Sequence, residues 1–157
     1  MIFGGLSISI YNDLNHFRNL FLNPYFHLIT LPIGLYLMKL SFHAAATGGR
    51  ELKRKGREGD LPRLETNRLV TTGIYECTRH PMLFGLTLIP LSFSLIIGSP
   101  TFITIIAPLE MIFIIFMVLT LEEMECKRKF GKSYEEYAKK TPLFPKTKEC
   151  FKKLFFD

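Results

Sequence analysis

The chain has 157 residues, of which 48% are hydrophobic and 22% are charged. Its length suits a single domain, and its hydrophobic content excludes a disordered chain. The formal net charge is +6, but the basic residues flank long apolar runs and form no basic face. We therefore exclude nucleic acid as a partner and predict an integral membrane protein.

Three apolar stretches approach the roughly 20 residues that a helix needs to cross a bilayer. They cover residues 24–46, 81–98 and 101–121. Gly98, Ser99 and Pro100 separate the last two stretches, so we expect a tight helical hairpin over residues 81–121. The predicted fold class is all-α and polytopic, with about three spans. The N-terminal segment, residues 1–22, has an apolar run too short to span, and we expect it to be interfacial or re-entrant.

Two segments hold nearly all of the positive charge: the loop before the hairpin, residues 47–80, and the tail after it, residues 122–157. Basic segments of membrane proteins stay in the cytosol, so we predict a multi-pass protein with both segments cytosolic. The whole of residues 1–157 is interpreted as one domain. We expect an irregular, water-facing loop at residues 48–72, and tail helices interrupted at Gly131.

The cysteines and histidines show no spacing typical of a cross-link or a metal site. Cys77, Cys126 and Cys150 form no CxxC pair and leave one cysteine over, so we predict reduced thiols that face the cytosol. No two histidines have the HxxxH spacing that places two imidazoles on one helix face. We therefore predict no metal.

A candidate anion site lies where the second apolar stretch begins. Pro81 suits the first position of a helix, and Arg79 and His80 directly precede it. A helix N-terminus presents free N–H groups and the positive end of the helix dipole. Together with Arg79 it would suit a carboxylate or a phosphate. The alternative is that Arg79 and His80 only contact lipid headgroups.

Three glutamates follow the third apolar stretch, at positions 122, 123 and 125. Glu123 and Glu125 each stand four residues before a lysine, which favours structural ion pairs within the helix. Glu122 has no lysine at that spacing and is available to meet another group. Because the hairpin brings its two ends together, we expect Glu122 near Arg79 and His80. The alternative is a simple ion pair between Glu122 and Arg79.

Glu110 stands near the middle of the third stretch, where a charge costs about 2.5 to 3.5 kcal/mol on insertion scales. Such a residue is by default a candidate for function. The alternatives are a protonated side chain, or a hydrogen bond to Ser92 or Ser94 across the hairpin.

Two ordered motifs flank the hairpin. G-x-Y-x3-R-H-P-x3-G begins at Gly73, with L-V-T just upstream, and E-E-x6-F-G-x2-Y-x2-Y-x3-T-P-x2-P begins at Glu122. Together they resemble the isoprenylcysteine carboxyl methyltransferase and phospholipid methyltransferase superfamily over roughly residues 50–146. The resemblance implies a membrane-embedded methyltransferase that uses S-adenosylmethionine and acts on a lipid or another lipophilic small molecule.

The resemblance also implies site residues, with the cofactor at the cytosolic face of the membrane. The implied cofactor-binding residues are Asn67, Arg68, Leu69, Val70, Tyr75, His80, Pro81, Met82, Leu83 and Glu122. Arg79 and Glu122 are the candidate catalytic residues, and Val118 and Glu110 are the candidate substrate-binding residues.

Two positions depart from the superfamily pattern. Leu83 replaces the tyrosine of RHPxY, and Val118 replaces an arginine that binds substrate in the prenylcysteine branch. A prenylcysteine carboxylate would lack its counter-ion here, which argues against that substrate. Two other functions stay open. One is a membrane reductase that uses NADPH, although Leu86 stands where reductases have an acid. The other is a non-catalytic membrane adaptor that binds anionic lipid.

Overall fold

The computed structural model describes residues 2–60 and 65–156, and all of the regular structure in these ranges is helical. The all-α prediction is therefore confirmed. The elements are α1 (Ile2–His16), α2 (Arg18–Phe21), α3 (Pro24–Lys55), a 3-10 turn (Gly73–Glu76), α4 (Pro81–Thr87), α5 (Ile89–Ile97), α6 (Phe102–Lys140) and α7 (Lys148–Phe156). Residues 61–64 of the predicted loop lie outside the described residues.

Helix α6 changes its winding along its length. Its α-helical parts are Ala107–Met117 and Glu123–Lys140, and π-helical turns occupy Phe102–Ile106 and Val118–Glu122. A π turn inserts one extra residue, so side chains beyond it are rotated by about 100° from where a continuous α-helix would place them. The turn at Val118–Glu122 decides which glutamate enters the site described below.

Two helices of the described residues, α3 and α6, are long and apolar enough to cross a bilayer. The stretch Pro81–Ile97 is apolar but shorter, so the count of three spans and their topology stay predictions. The apolar part of α6 ends at Leu121. Its charged part, from Glu122 onward, lies outside the segment that we assign to the bilayer.

The distribution of polar groups supports integration into a membrane. Leu28 and Ile112 are 71% and 62% exposed, whereas Ser92 and Ser94 are completely buried. Helices with apolar outer faces and polar residues turned inward are typical of proteins that a bilayer surrounds.

The residues form two compact groups. The first contains residues up to Ser41 together with Thr87–Phe116. In it the carboxylate of Asp13 on α1 accepts hydrogen bonds from the Ser99 hydroxyl, the Thr101 hydroxyl (2.5 Å) and the Thr101 N–H (2.9 Å). These bonds fix α1 to the turn before α6. Gly98 ends α5 with φ 68°, which confirms the predicted turn.

Glu110 also lies in the first group, where it is buried. The hydroxyls of Ser92 and Ser94 donate to the carbonyl oxygens of Ile89 and Leu91 in their own helix. The alternative of a hydrogen bond from these serines to Glu110 is therefore wrong. Among the described residues, Oε2 of Glu110 has no hydrogen-bond partner.

The second group contains Phe42–Leu86 and the residues from Met117 onward. Its core cluster consists of Ala44, Val70, Ile74, Tyr75 and Leu154. The predicted interruption of the tail is confirmed, because Gly131 has φ 54° and ψ −133° and kinks α6. Few residues other than glycine adopt this conformation without strain.

Two expectations for this group are wrong. The predicted loop is helical up to Lys55. Gly48 does not break the helix; it lets α3 pass close to the start of α4, since a Cβ there would lie 2.7 Å from the backbone nitrogen of Met82. Cys77 and Cys150 are joined by a disulfide, with their Cα atoms 5.4 Å apart, so they are not reduced thiols. Their 73-residue separation gives no local pattern from which sequence could reveal the pairing.

Candidate active site

The candidate site lies in the second group, where the tail fixes residues 78–80. The N–H of Arg79 donates to Pro142 O (3.0 Å), and the N–H of His80 donates to Leu143 O (3.4 Å). The hydroxyl of Thr78 donates to Leu143 O as well (2.8 Å). Pro81 then begins α4, as predicted. The backbone of the R-H-P triplet is thus held on one side by the tail and on the other by a helix.

A buried polar network forms around the carboxylate of Glu123. Its Oε2 lies 2.6 Å from Nη1 of Arg79, and its Oε1 lies 2.6 Å from Nε2 of His80. The hydroxyl of Tyr134 donates to Oε1 over 2.5 Å. The side chains of Arg79, His80 and Glu123 are 15%, 7% and 10% exposed. Hydrogen bonds to an ionised carboxylate are about twice as strong as neutral ones.

The electrostatics of this network keep Glu123 ionised. Burial disfavours the charged carboxylate, but the hydrogen bonds from Tyr134 and His80 and the charge of Arg79 outweigh burial and lower the pKa of Glu123. Burial, followed by the hydrogen bond to Glu123, raises the pKa of Tyr134, so its hydroxyl keeps its proton and remains a donor. The network therefore contains a carboxylate with three donors.

The structure corrects the expectation for the glutamates. Glu123 was expected to pair with Lys127, but it contacts Arg79 and His80 instead, and Arg79 pairs with Glu123 and not with Glu122. The extra residue of the π turn at Val118–Glu122 changes which glutamate faces the network.

The signal that could have identified Glu123 is its place beside Glu122 in the tail motif. Helical spacing could not have linked it to Tyr134, because the non-helical kink at Gly131 lies between them. Tyr134 and Tyr137 both belong to the tail motif, yet neither was assigned a role in the site.

A pocket of about 340 Å3 adjoins this network. The predicted site residues that line it are Arg68, Leu69, Val70, Tyr75, Arg79, His80, Met82, Leu83 and Glu122. The lining residues that sequence reasoning missed are Leu52, Glu65, Thr66, Glu125, Cys126, Lys129, Phe130, Tyr134 and Tyr137. The pocket thus brings together the loop before the R-H-P triplet and the charged part of α6, both of which the sequence motifs had marked.

Four predicted site residues do not line the pocket: Asn67, Pro81, Val118 and Glu110. The side-chain amide of Asn67 accepts a hydrogen bond from the N–H of Glu58 (2.9 Å) and donates one to the carbonyl oxygen of Glu58 (2.8 Å). It therefore joins two segments of the loop to each other. Pro81 and Val118 are buried. The binding roles of all four stay predictions.

Arg79 is only partly satisfied by its ion pair. Its Nη1 pairs with Glu123, but among the described residues its buried Nε has no hydrogen-bond partner. A buried donor without a partner is costly and is often completed by a ligand. Arg79 therefore keeps the capacity to bind an anion that enters the pocket.

Tyr75 fixes the opposite wall of the pocket. Its hydroxyl donates to Gly48 O (3.3 Å), and its carbonyl accepts from the Tyr137 hydroxyl (2.6 Å). Burial raises the pKa of Tyr75, so its hydroxyl remains a donor. The two bonds tie α3, the 3-10 turn and α6 together around the pocket.

Within residues 2–60 and 65–156, no group of three or more histidine, cysteine, aspartate or glutamate side chains could hold a metal ion. The site combines one paired arginine, one histidine, tyrosine hydroxyls, carboxylates and an apolar wall. Such a site can bind and orient a charged organic molecule.

Comparison with known proteins identifies the family. No curated protein and no solved structure matches the chain significantly. The family model of the phospholipid methyltransferases matches residues 29–133, which is 105 of the 157 residues and includes the R-H-P triplet and Glu123. The match confirms the resemblance found in the sequence motifs. The chain therefore belongs to the phospholipid methyltransferase family.

Proposed function

We propose that this protein is a membrane methyltransferase that uses S-adenosylmethionine to methylate a lipophilic acceptor, either a lipid or another apolar small molecule. Membership of the family and the apolar helices support a membrane methyltransferase in general. The observation that carries the finer proposal is the buried network of Arg79, His80, Glu123 and Tyr134, of which all but Glu123 line the pocket.

The residues present fit the cofactor. A pocket of about 340 Å3 lies within the size range of sites for small organic molecules. S-adenosylmethionine carries a carboxylate, an ammonium group, ribose hydroxyls and an adenine ring. Arg79, with its unpartnered Nε, suits the carboxylate, and Glu122 suits the ammonium group or the hydroxyls. Leu69 and Val70 offer an apolar wall for the ring.

When bound, the cofactor supplies an electrophilic methyl group on a sulfonium sulfur. The chain's own task is then alignment and exclusion of water, because an in-line displacement needs a positioned acceptor in a dry pocket. Met82 and Leu83 provide apolar surface for this purpose. Arg79 and Glu122 are the proposed catalytic residues because they line the pocket.

Glu123 is a positioning residue in this proposal. Its carboxylate already accepts from Arg79, His80 and Tyr134, so it is not free to take a proton from an acceptor. It fixes the guanidinium and the imidazole at the pocket wall. We expect an acceptor that needs no strong base, or one that loses its proton to water at the pocket mouth.

The acceptor is proposed from the lining and from the departures noted in the sequence. Leu83 leaves an apolar surface where the superfamily places a tyrosine, and this suits a hydrocarbon portion of the acceptor. Val118 and Glu110 remain the proposed substrate-binding residues on the apolar part of α6. The cytosolic position of residues 47–80 and of the tail is part of the same proposal.

Binding of labelled S-adenosylmethionine and of NADPH to the purified, detergent-solubilised protein tests the function. We expect saturable binding of S-adenosylmethionine only, weakened at least tenfold by Glu122→Gln, since each 1.4 kcal/mol of lost interaction is a factor of ten. Glu135→Gln changes an exposed acid of the same helix outside the pocket lining and is the matched control. Binding of NADPH instead would favour a reductase.

A mass-spectrometric search for a lipid that gains one methyl group identifies the acceptor, with the Glu122→Gln protein as the blank. Salt-sensitive binding to anionic vesicles without affinity for S-adenosylmethionine would instead favour the adaptor and contradict the proposal.

A further inference from the structure

The disulfide between Cys77 and Cys150 connects the candidate site to the end of the chain. Cys77 follows the 3-10 turn and stands two residues before Arg79, and Cys150 lies in the first turn of α7. The bond therefore attaches α7 directly to the segment that carries the R-H-P triplet.

Helix α7 supports two residues of the pocket wall. Leu154 is completely buried in the core cluster that contains Val70 and Tyr75, and both of these residues line the pocket. The rings of Phe151 and Phe155 lie 6.0 and 6.2 Å from the ring of Phe84, centroid to centroid. Removal of α7 would deprive Val70 and Tyr75 of the packing that Leu154 provides.

Few side chains of α7 are buried. Only Leu154 among its nine residues is buried, and Lys148, Lys152 and Lys153 give it a charged side. Helices of this length are marginal in water by themselves. We therefore expect the disulfide to contribute substantially to holding α7 in place.

We propose that Cys77 and Cys150 are a redox-active pair that exchanges with a low-molecular-weight thiol and disulfide couple of the glutathione class, and that its state controls the order of the pocket wall. In the oxidising direction, one cysteine thiolate attacks the small disulfide and releases one small thiol. The second cysteine then attacks the mixed disulfide and releases the other. Two protons and two electrons leave the cysteines, one Sγ–Sγ bond forms, and the small disulfide becomes two thiols.

A reversible disulfide is compatible with the proposed cytosolic position, where stable disulfides are rare. Where the glutathione pool is reduced, the bond opens and α7 is held by Leu154 and the phenylalanine rings alone. Where the pool is oxidised, α7 is covalently fixed. The effect of the redox state of the pair on cofactor affinity rests on the proposed function. Its effect on the order of α7 does not.

The experiment uses the full chain in lipid nanodiscs, equilibrated with mixtures of reduced and oxidised glutathione. Peptide mapping without reductant should find Cys77 linked to Cys150, with Cys126 as a thiol, at the oxidised end of the series. Hydrogen exchange of residues 148–156 should become at least about tenfold faster on reduction, because loss of a cross-link frees local opening. The affinity for S-adenosylmethionine should fall about three- to tenfold, as the wall loosens.

The Cys77→Ser/Cys150→Ser double variant is the control, and its exchange rates should not respond to glutathione. Equal exchange of residues 148–156 in oxidised and reduced wild-type protein would overturn the proposal, and this comparison needs no variant to fold. A cross-link that involves Cys126 instead would overturn it too. A protein that shows the exchange difference but binds no S-adenosylmethionine in either state would contradict the proposed function alone.

Discussion

Replacement of Glu123 by glutamine separates the two neighbouring glutamates. The substitution keeps the size of the side chain but removes the charge that faces Arg79 and His80. Removing one partner of a buried ion pair costs about 3 to 5 kcal/mol, because the other charge stays buried without compensation. Arg79 is 15% exposed and glutamine still accepts hydrogen bonds, so we expect the lower end, about 3 kcal/mol.

The matched variant is Glu122→Gln, one residue earlier in the same helix. Glu122 lines the pocket, and Arg79 forms its ion pair with Glu123 instead. We therefore expect Glu122→Gln to change the free energy of unfolding by no more than about 0.5 kcal/mol, as is usual for substitutions away from buried networks. Its effect should appear in the affinity for S-adenosylmethionine.

Thermal unfolding followed by far-UV circular dichroism measures the difference, since the chain is mostly helical and has no tryptophan. For a chain of this size, 3 kcal/mol corresponds to a decrease in Tm of roughly 6 to 12 °C. Equal losses in the two variants would refute the assignment of Glu123 to the buried network. An unchanged Tm in Glu123→Gln would refute the argument that an uncompensated Arg79 is costly.

Three further predictions concern the same part of the chain. Gly48→Ala should lower the stability by about 1 to 3 kcal/mol because its Cβ would meet the backbone of Met82, whereas Gly49→Ala, with 3.9 Å to the nearest atom, should be neutral or stabilising; parallel melting curves check both. Burial raises the pKa of Cys126 to about 11, so the rate of its alkylation should still rise with pH above pH 9. Because Cys126 lines the pocket, S-adenosylmethionine should slow this alkylation. An alkylation rate independent of pH would contradict the prediction. Because the pKa of Glu123 is lowered in the folded protein, its ionised carboxylate should contribute fully to stability above pH 4.5, the ordinary pKa of a glutamate. This contribution should be lost as the pH falls through the lower, folded pKa. Acid unfolding of Glu123→Gln, followed in parallel, should lack this loss.

The sequence was sufficient to predict features that depend only on residues close together in the chain. Gly98 and Gly131 marked a turn and a kink, and both adopt the positive φ for which glycine is suited. Pro81 begins a helix, and the apolar runs became helices. The motifs led to the family and to most of the pocket lining, since the loop and α6 are the segments that carry them.

The sequence was insufficient where a contact depends on distant segments or on irregular winding. The position of Asp13 under the turn at Ser99 and Thr101, and the pairing of Cys77 with Cys150, join residues more than seventy positions apart. Gly48 reads in the sequence as a helix breaker, whereas in the structure it lies within α3 and permits the close approach of α4. The rule for residues four apart in a helix assigned Glu123 to Lys127 and left Glu122 for the site, whereas Glu123 pairs with the distant Arg79 and His80.

The π turn at Val118–Glu122 has a consequence for anyone who edits this protein. Because the turn already accommodates one extra residue, deleting one residue there would return the helix to regular α winding and leave the later side chains in nearly their present directions. A deletion between Met124 and Lys129 has no extra residue to remove, and it would turn Tyr134 by about 100° away from Glu123. Two deletions only a few positions apart would therefore have opposite outcomes, the first sparing the site and the second dismantling it.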